Sequence, residues 1–234
     1  MTILHLVRHG HTSLGAARDD GLSELGVRQA RLLGAWWMRL GLRPGLVAVG
    51  TFARHRQSAE ACLAELGGWF PITTEAGLDD FDGEEVLRAH SPELADAGAI
   101  VRHFAGHENP HRAFRRLFAE AVARWVGGAH DADYREPWPA FRARCLEALE
   151  SLAATTAAQG HDAVAIFTSG GPIAVACQAA LGIPDGRLLR LNESLANASV
   201  TRLGTGPSGG FRLLQLNAAP HLEAERDSTL ITYR

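Results

Sequence analysis

The chain has 234 residues, of which 46% are hydrophobic and 21% charged, with a formal net charge of −3. That length buries a sizeable core and fits one α/β domain over residues 1–234, and the absence of a basic excess argues against a nucleic-acid partner. The start of the chain lacks a basic segment followed by an apolar one, and no apolar run reaches membrane-spanning length, so a soluble, cytoplasmic protein is expected, with no membrane partner.

The first apolar run, Ile3-Leu4-His5-Leu6-Val7, is short and aliphatic and reads as a buried strand that Gly10 ends. A helix is predicted from Ser23 to about Leu40, where Leu25, Leu32, Leu33, Trp36 and Leu40 recur at helical spacing and Gly41 stops it. Leu46–Val49 reads as a second buried strand, Arg54–Leu66 as a helix and Pro71–Thr74 as a third strand. From 83 to about 160 only helices are predicted: Glu84–His90, one begun by Ser91-Pro92-Glu93, Arg112–Val126, and a long one starting near Pro137. Ala163–Phe167 is an apolar strand, and Gly171-Pro172 opens a helix running to Leu181. Ser199–Leu203 and Phe211–Leu216 read as strands around a turn, and Thr229–Tyr233 as either an edge strand or a docked tail. The order predicts a three-layer α/β/α sandwich with a mostly parallel sheet and a helical insertion at about 83–160. Cys62, Cys145 and Cys177 are odd in number and lie in apolar helical stretches, as core side chains in a reducing compartment do.

Arg8 and His9 stand where the first strand turns into a loop, the edge at which open α/β sheets bind ligands. An imidazole there can attack phosphorus while the guanidinium holds the phosphoryl oxygens. Arg8-His9-Gly10-His11-Thr12 resembles the Arg-His-Gly-x-Thr signature of the histidine phosphatase superfamily, the phosphoglycerate-mutase-like proteins. The resemblance continues through Leu22-Ser23-Glu24-Leu25-Gly26-Val27-Arg28-Gln29-Ala30, against Leu-Thr-x-x-Gly-x-x-Gln-Ala in the family. It also takes in Gly50–Ala59, against Ser-x-Leu-x-Arg-x-x-Gln-Thr-Ala. It implies His9 as nucleophile, with Arg8, Arg54 and Thr12 around the phosphoryl group. Two guanidiniums neutralise the oxygens and stabilise transition-state charge without a metal.

The family carries its general acid in a Leu-x-Glu segment, which here reads Leu78-Asp79-Asp80 and puts Asp80 in the glutamate position. Asp82 and Glu84 are rivals, and an acidic turn capping the helix from Gly83 is the alternative reading. The family usually has a second histidine immediately before Gly-Gly; in Thr168-Ser169-Gly170-Gly171 that place is held by Ser169. A serine hydroxyl donates one hydrogen bond to a phosphoryl oxygen but brings no imidazolium charge. Losing one such charge-assisted contact costs roughly 2–4 kcal/mol in a transition state. The backbone amides of Gly170 and Gly171 at a helix start offer an anion site, and His55, His103 and His221 are candidates to refill the space.

Three other signals carry less. His107-Glu108-Asn109-Pro110-His111 matches a zinc-protease string, but Pro110 between the histidines favours a turn. Ser169 between a strand and a helix is placed like a hydrolase nucleophile, yet Phe167 stands where that motif needs glycine. Arg112, Arg115 and Arg116 form a basic group at a helix start that either faces solvent or attracts an anionic substrate. The expectation is a metal-independent phosphomonoester hydrolase, without cofactor, acting on a small phosphorylated substrate through a phosphohistidine on His9. A phospholigand-binding or regulatory protein on the same fold is the alternative. Mutase chemistry needs a closed pocket of which the sequence gives no sign. Substrate identity and oligomeric state are not legible.

Overall fold

A computed structural model describes residues 1–12, 20–94, 96–206 and 209–233. Among the described residues six strands form one sheet: β1 (Thr2–Arg8), β2 (Leu46–Val49), β3 (Ile72–Thr74), β4 (Ala163–Thr168), β5 (Val200–Thr205) and β6 (Phe211–Ala218), in the order β3-β2-β4-β1-β5-β6. The first four pair in parallel, and β5 and β6 add antiparallel at the β1 edge. The mostly parallel α/β sheet expected from the order of elements is what the chain forms.

Strand periodicity decides which helices cover which face. Leu4, Leu6, Ala48, Val164 and Ile166 pack against Leu149 and Leu152 of α6 (Trp138–Ala158) and Ile173 and Ala176 of α7 (Gly170–Leu181). The alternate residues Val7, Val47, Val49, Ala165 and Phe167 pack against Leu33 and Trp37 of α1 (Glu24–Arg39) and Ala59, Cys62 and Leu63 of α2 (Ala53–Leu66). The sheet therefore lies between two helical layers. A separate aromatic core around Trp125, Trp138 and Phe141 joins α6 to α3 (Gly83–His90), α4 (Ala97–Phe104) and α5 (Pro110–Val126). Two short helices, α8 (Leu188–Ser194) and α9 (Pro220–Glu223), and several 3-10 turns join these elements. No described helix is long and apolar enough to cross a membrane.

Boundaries differ from the sequence reading at three places. Ser91-Pro92-Glu93 does not open a helix: Ser91 closes α3 by donating its N–H to Leu87 O at 2.8 Å, and the next helix starts where Asp96 accepts from the Ala99 N–H at 2.7 Å. A side-chain cap on backbone donors outweighs a proline signal here. Pro110 is the first residue of α5 rather than part of a turn, because Asn109 accepts the Arg112 N–H at 2.9 Å and proline at the first helical position needs no donor. The C-terminal run is a docked tail around a short 3-10 turn at Ser228–Leu230; Thr232 O accepts the Asn197 N–H at 2.8 Å.

Candidate active site

Parallel register brings the carboxyl ends of three neighbouring strands level: Arg8 is opposite Thr168, and Val49 is opposite Phe167. The residues that follow, His9, Gly50 and Ser169, therefore emerge side by side at one edge of the sheet. Arg54 sits in the first turn of α2, directly after that edge.

The His9 loop is fixed by the glycines and polar residues of the sequence motif. A Cβ at Gly10 would overlap the Gly26 backbone, and one at Gly26 would overlap His11, so α1 lies directly against the loop. Gln29 accepts the His11 N–H at 2.8 Å and donates to Leu230 O at 2.8 Å, joining the loop to the C-terminal tail. Ser58 accepts the Gly10 N–H at 3.0 Å and donates to Arg54 O at 2.7 Å, joining it to α2. Asn197 donates to His9 O at 3.1 Å.

His9 is 6% exposed, and its Nδ1 lies 2.7 Å from Gly10 O. A carbonyl oxygen only accepts, so Nδ1 carries the proton and Nε2 keeps its lone pair. Burial, then the cationic Arg54 and Arg8, hold the imidazole well below its ordinary pKa. It is therefore neutral at physiological pH, the state a nucleophile needs. Arg8 is buried, and its guanidinium donates to Leu195 O. Burial lowers its pKa to about 10, opposed by Asp80, so it remains a cation. The Arg54 guanidinium stacks 4.2 Å from the Phe52 ring centroid, lies 3.4 Å from Ser169 Oγ and pairs with Asp20.

Of the three acid candidates, Asp80 is the one electrostatically coupled to both Arg54 and Arg8. Burial raises its pKa above the carboxylate value, against the two cations and the backbone N–H groups of Phe81 and Gly171. Asp82 instead caps α3 through the Glu85 N–H at 2.9 Å and pairs with Arg135 at 2.7 Å, and Glu84 pairs with Arg88 at 3.5 Å. The Gly171 amide expected to bind an anion is turned to Asp80, and a Cβ there would overlap the carboxylate. Gly170 opens α7 against the Asn192 side chain. Thr12 forms an isolated bridge with Leu22, away from the cluster's hydrogen bonds; residues 13–19 lie outside the described residues.

Two participants, Asp20 and Asp79, were given no role by the sequence, and a third, His55, was only one of three histidines offered to refill the space. Asp20 accepts both the Arg54 guanidinium and, at 3.0 Å, the Ala53 N–H that opens α2. Asp79 accepts from Thr51 N and Oγ at 2.6 and 2.5 Å. His55, one of three histidines without a motif, is fully buried with Nε2 2.7 Å from Ser169 Oγ. Contacts spanning 34, 28 and 114 residues leave no local pattern in a chain. His103 stacks on His107 in the α4–α5 region and is not part of the cluster. His107 precedes α5 while His111 lies in its first turn, so the pair does not share a helical face. Among the described residues no three His, Cys, Asp or Glu side chains are grouped to hold a metal. The three cysteines are buried thiols whose pKa burial raises, to about 12 for Cys145 and Cys177.

A cavity of about 690 Å³ reaches the cluster at Asp80 and Phe52 and is walled by Phe81, Trp125, Arg135 and Arg144. Arg8, His9, Arg54 and Ser169 do not line it, so the cavity adjoins the cluster on the Asp80 side.

The model of the histidine phosphatase superfamily (branch 1) matches residues 4–219. No curated protein matches the sequence. Among solved structures, the fold is similar to a phosphoglycerate mutase from Bacillus anthracis (TM-score 0.67, 16% identity, 97% of each chain). It is also similar to a mycobacterial glucosyl-3-phosphoglycerate phosphatase (0.61, 22%, 94% of this chain and 100% of that one). YhfR of Bacillus stearothermophilus is a third (0.64, 20%, 94% and 99%). Identities this low establish the shared fold, and the family match over nearly the whole length establishes descent: the chain belongs to the histidine phosphatase superfamily, branch 1.

Proposed function

We propose that the protein is a metal-independent phosphomonoester hydrolase that works through a phosphohistidine on His9. The observation that carries this is the pinned imidazole of His9 between the buried Arg8 and the half-buried Arg54. Nε2 attacks phosphorus in line, and the ester P–O bond breaks. Asp80, whose pKa burial raises, gives its proton to the departing alkoxide. Water then attacks the phosphohistidine, returning a proton to Asp80 and releasing phosphate. Arg8 and Arg54 balance the charge of the phosphoryl oxygens in both steps, which is the part a metal plays elsewhere. Thr12, Ser169 and the α7 start at Gly170 complete the proposed phosphate site.

The substrate is a small phosphorylated molecule whose leaving group occupies the cavity beside Asp80. Family structures include both a mutase and phosphatases; hydrolysis is the reading adopted, and the protein acts inside the cell. Turnover of an aryl phosphate, compared with His9→Ala, tests it. Loss in the variant supports His9 chemistry, and undiminished turnover overturns it. No turnover by the wild type, with phosphate bound and that binding lost in Arg54→Ala, identifies a phospholigand-binding protein instead.

A further inference from the structure

The family pattern implies a histidine where this chain has Ser169 and a serine where it has Gly50. Both departures meet at one side chain. His55 and Ser169 are each fully buried, with Nε2 of one 2.7 Å from Oγ of the other. The His55 ring lies 5.9 Å from that of His9, and Arg54 reaches the same Ser169 oxygen at 3.4 Å. A Cβ at position 50 would overlap both His55 Nδ1 and Asp79 Oδ1, so glycine there is what lets the imidazole take its seat.

We infer that Ser169 and His55 form a proton relay that replaces the family's second histidine, with the substrate's phosphoryl group as the group it serves. The inference rests on the phosphatase site proposed above. The groups facing His55 are His9 after β1, Arg54 on its own helix, the Phe52 ring at 5.3 Å, Asp79 with Oδ1 3.9 Å from Nδ1, and Ser169.

In the unliganded pocket burial and Arg54 push His55 down to about 3, and the ring is neutral. With the proton on Nδ1, which faces Asp79 Oδ1 at 3.9 Å, Nε2 is left to accept the Ser169 hydroxyl. A phosphomonoester monoanion brings one P–OH. Its proton passes to Ser169 Oγ while the serine's own proton passes to His55 Nε2. The phosphoryl group becomes a dianion and the imidazole an imidazolium. Ser169 stays neutral, accepting from Nε2–H and donating to a phosphoryl oxygen. A dianion that binds directly draws the same proton from solvent.

Calorimetric titration of inorganic phosphate at alkaline pH, in two buffers of different ionisation heat, tests the relay without turnover. The wild type should take up protons on binding phosphate, in proportion to the imidazolium that the bound dianion induces at His55. His55→Gln and Ser169→Ala should each lose most of that uptake and bind phosphate about tenfold more weakly. The double variant should bind no worse than either single one, because both act through one contact. Ser169→Ala removes a single oxygen and keeps the test open if position 55 does not tolerate glutamine. Ser169→His combined with His55→Ala puts an imidazole directly at the site and should restore affinity. Uptake that is unchanged in both single variants, or no phosphate binding by the wild type, overturns the relay. Proton-linked binding without aryl phosphate turnover would sink the hydrolase reading alone.

Discussion

The Asp80 carboxylate rests against the backbone of Gly171, where the first turn of α7 has no side chain to hold it off. The carboxylate and the strand-to-helix turn are thus fitted to each other. Gly171→Ala must displace one of them, and the Phe141 ring Cζ at 3.1 Å from the added carbon blocks the other direction. The expected result is a fall in kcat of about tenfold to a hundredfold with phosphate affinity nearly unchanged. Steady-state kinetics beside phosphate titration checks it; equal losses in both would mean the helix, not the acid, had moved.

If Asp80 is the general acid, its contribution depends on the leaving group. Asp80→Asn should slow an alkyl phosphate by about two to three orders of magnitude and a nitrophenyl phosphate far less, since nitrophenolate departs without a proton. The pH profile follows from the direction of its shift. Burial raises the Asp80 pKa, so the proton is held to higher pH than in a free carboxylate, and activity is lost as pH rises through the raised value. The variant should lack that alkaline limb. His9 is held well below its ordinary value, so its protonation removes activity only in acid.

Asp20 both neutralises Arg54 and caps α2. The two roles separate by substitution. Asp20→Asn keeps a capping oxygen and removes the charge, so phosphate binding should tighten several-fold with little change in stability. Asp20→Ala should tighten binding similarly but cost about 1 kcal/mol of stability. Phosphate affinity and urea midpoints for the two variants decide the matter; weaker binding in both would show that Asp20 orders Arg54 rather than competing for it.

Buried neutral histidines make the fold sensitive to acid. His5 is 3% exposed against the edge of Trp37, and burial together with Arg202 lowers its pKa to about 4. The unfolded chain takes up the proton near the ordinary value of 6.5. The stabilising term is therefore full above that value and is lost as pH falls toward 4, on the order of 3 kcal/mol for this one group. His5→Phe should flatten the acid side of a stability–pH curve measured by urea unfolding; an unchanged slope would place the titration elsewhere.

The parts of the site legible in the sequence are those whose causes are local. Arg8, His9 and Gly10 follow a strand directly, and Gly26 and Gln29 are constrained because α1 lies against that same loop. Asp80 could be named but not separated from Asp82 and Glu84, since the distinction comes from what each reaches: the two arginines, the α3 amides with Arg135, and Arg88. The pairing of His55 with Ser169 and of Asp20 with Arg54 depends on the register of β2, β4 and β1, which no segment states alone. The helix expected at Ser91 failed for a related reason. Ser-Pro is a start signal, but the Ser91 backbone was already committed to closing α3.

Nucleophilic attack by His9 requires a covalent bond between phosphorus and one of its ring nitrogens. Rapid alkaline quenching of the protein during turnover of a radiolabelled aryl phosphate, followed by peptide mapping, tests it most directly. An acid-labile, base-stable phosphoryl group is expected on the peptide carrying His9, formed in the first turnover and absent from His9→Ala. Steady turnover with no labelled protein, continuing at the same rate in His9→Ala, would contradict it.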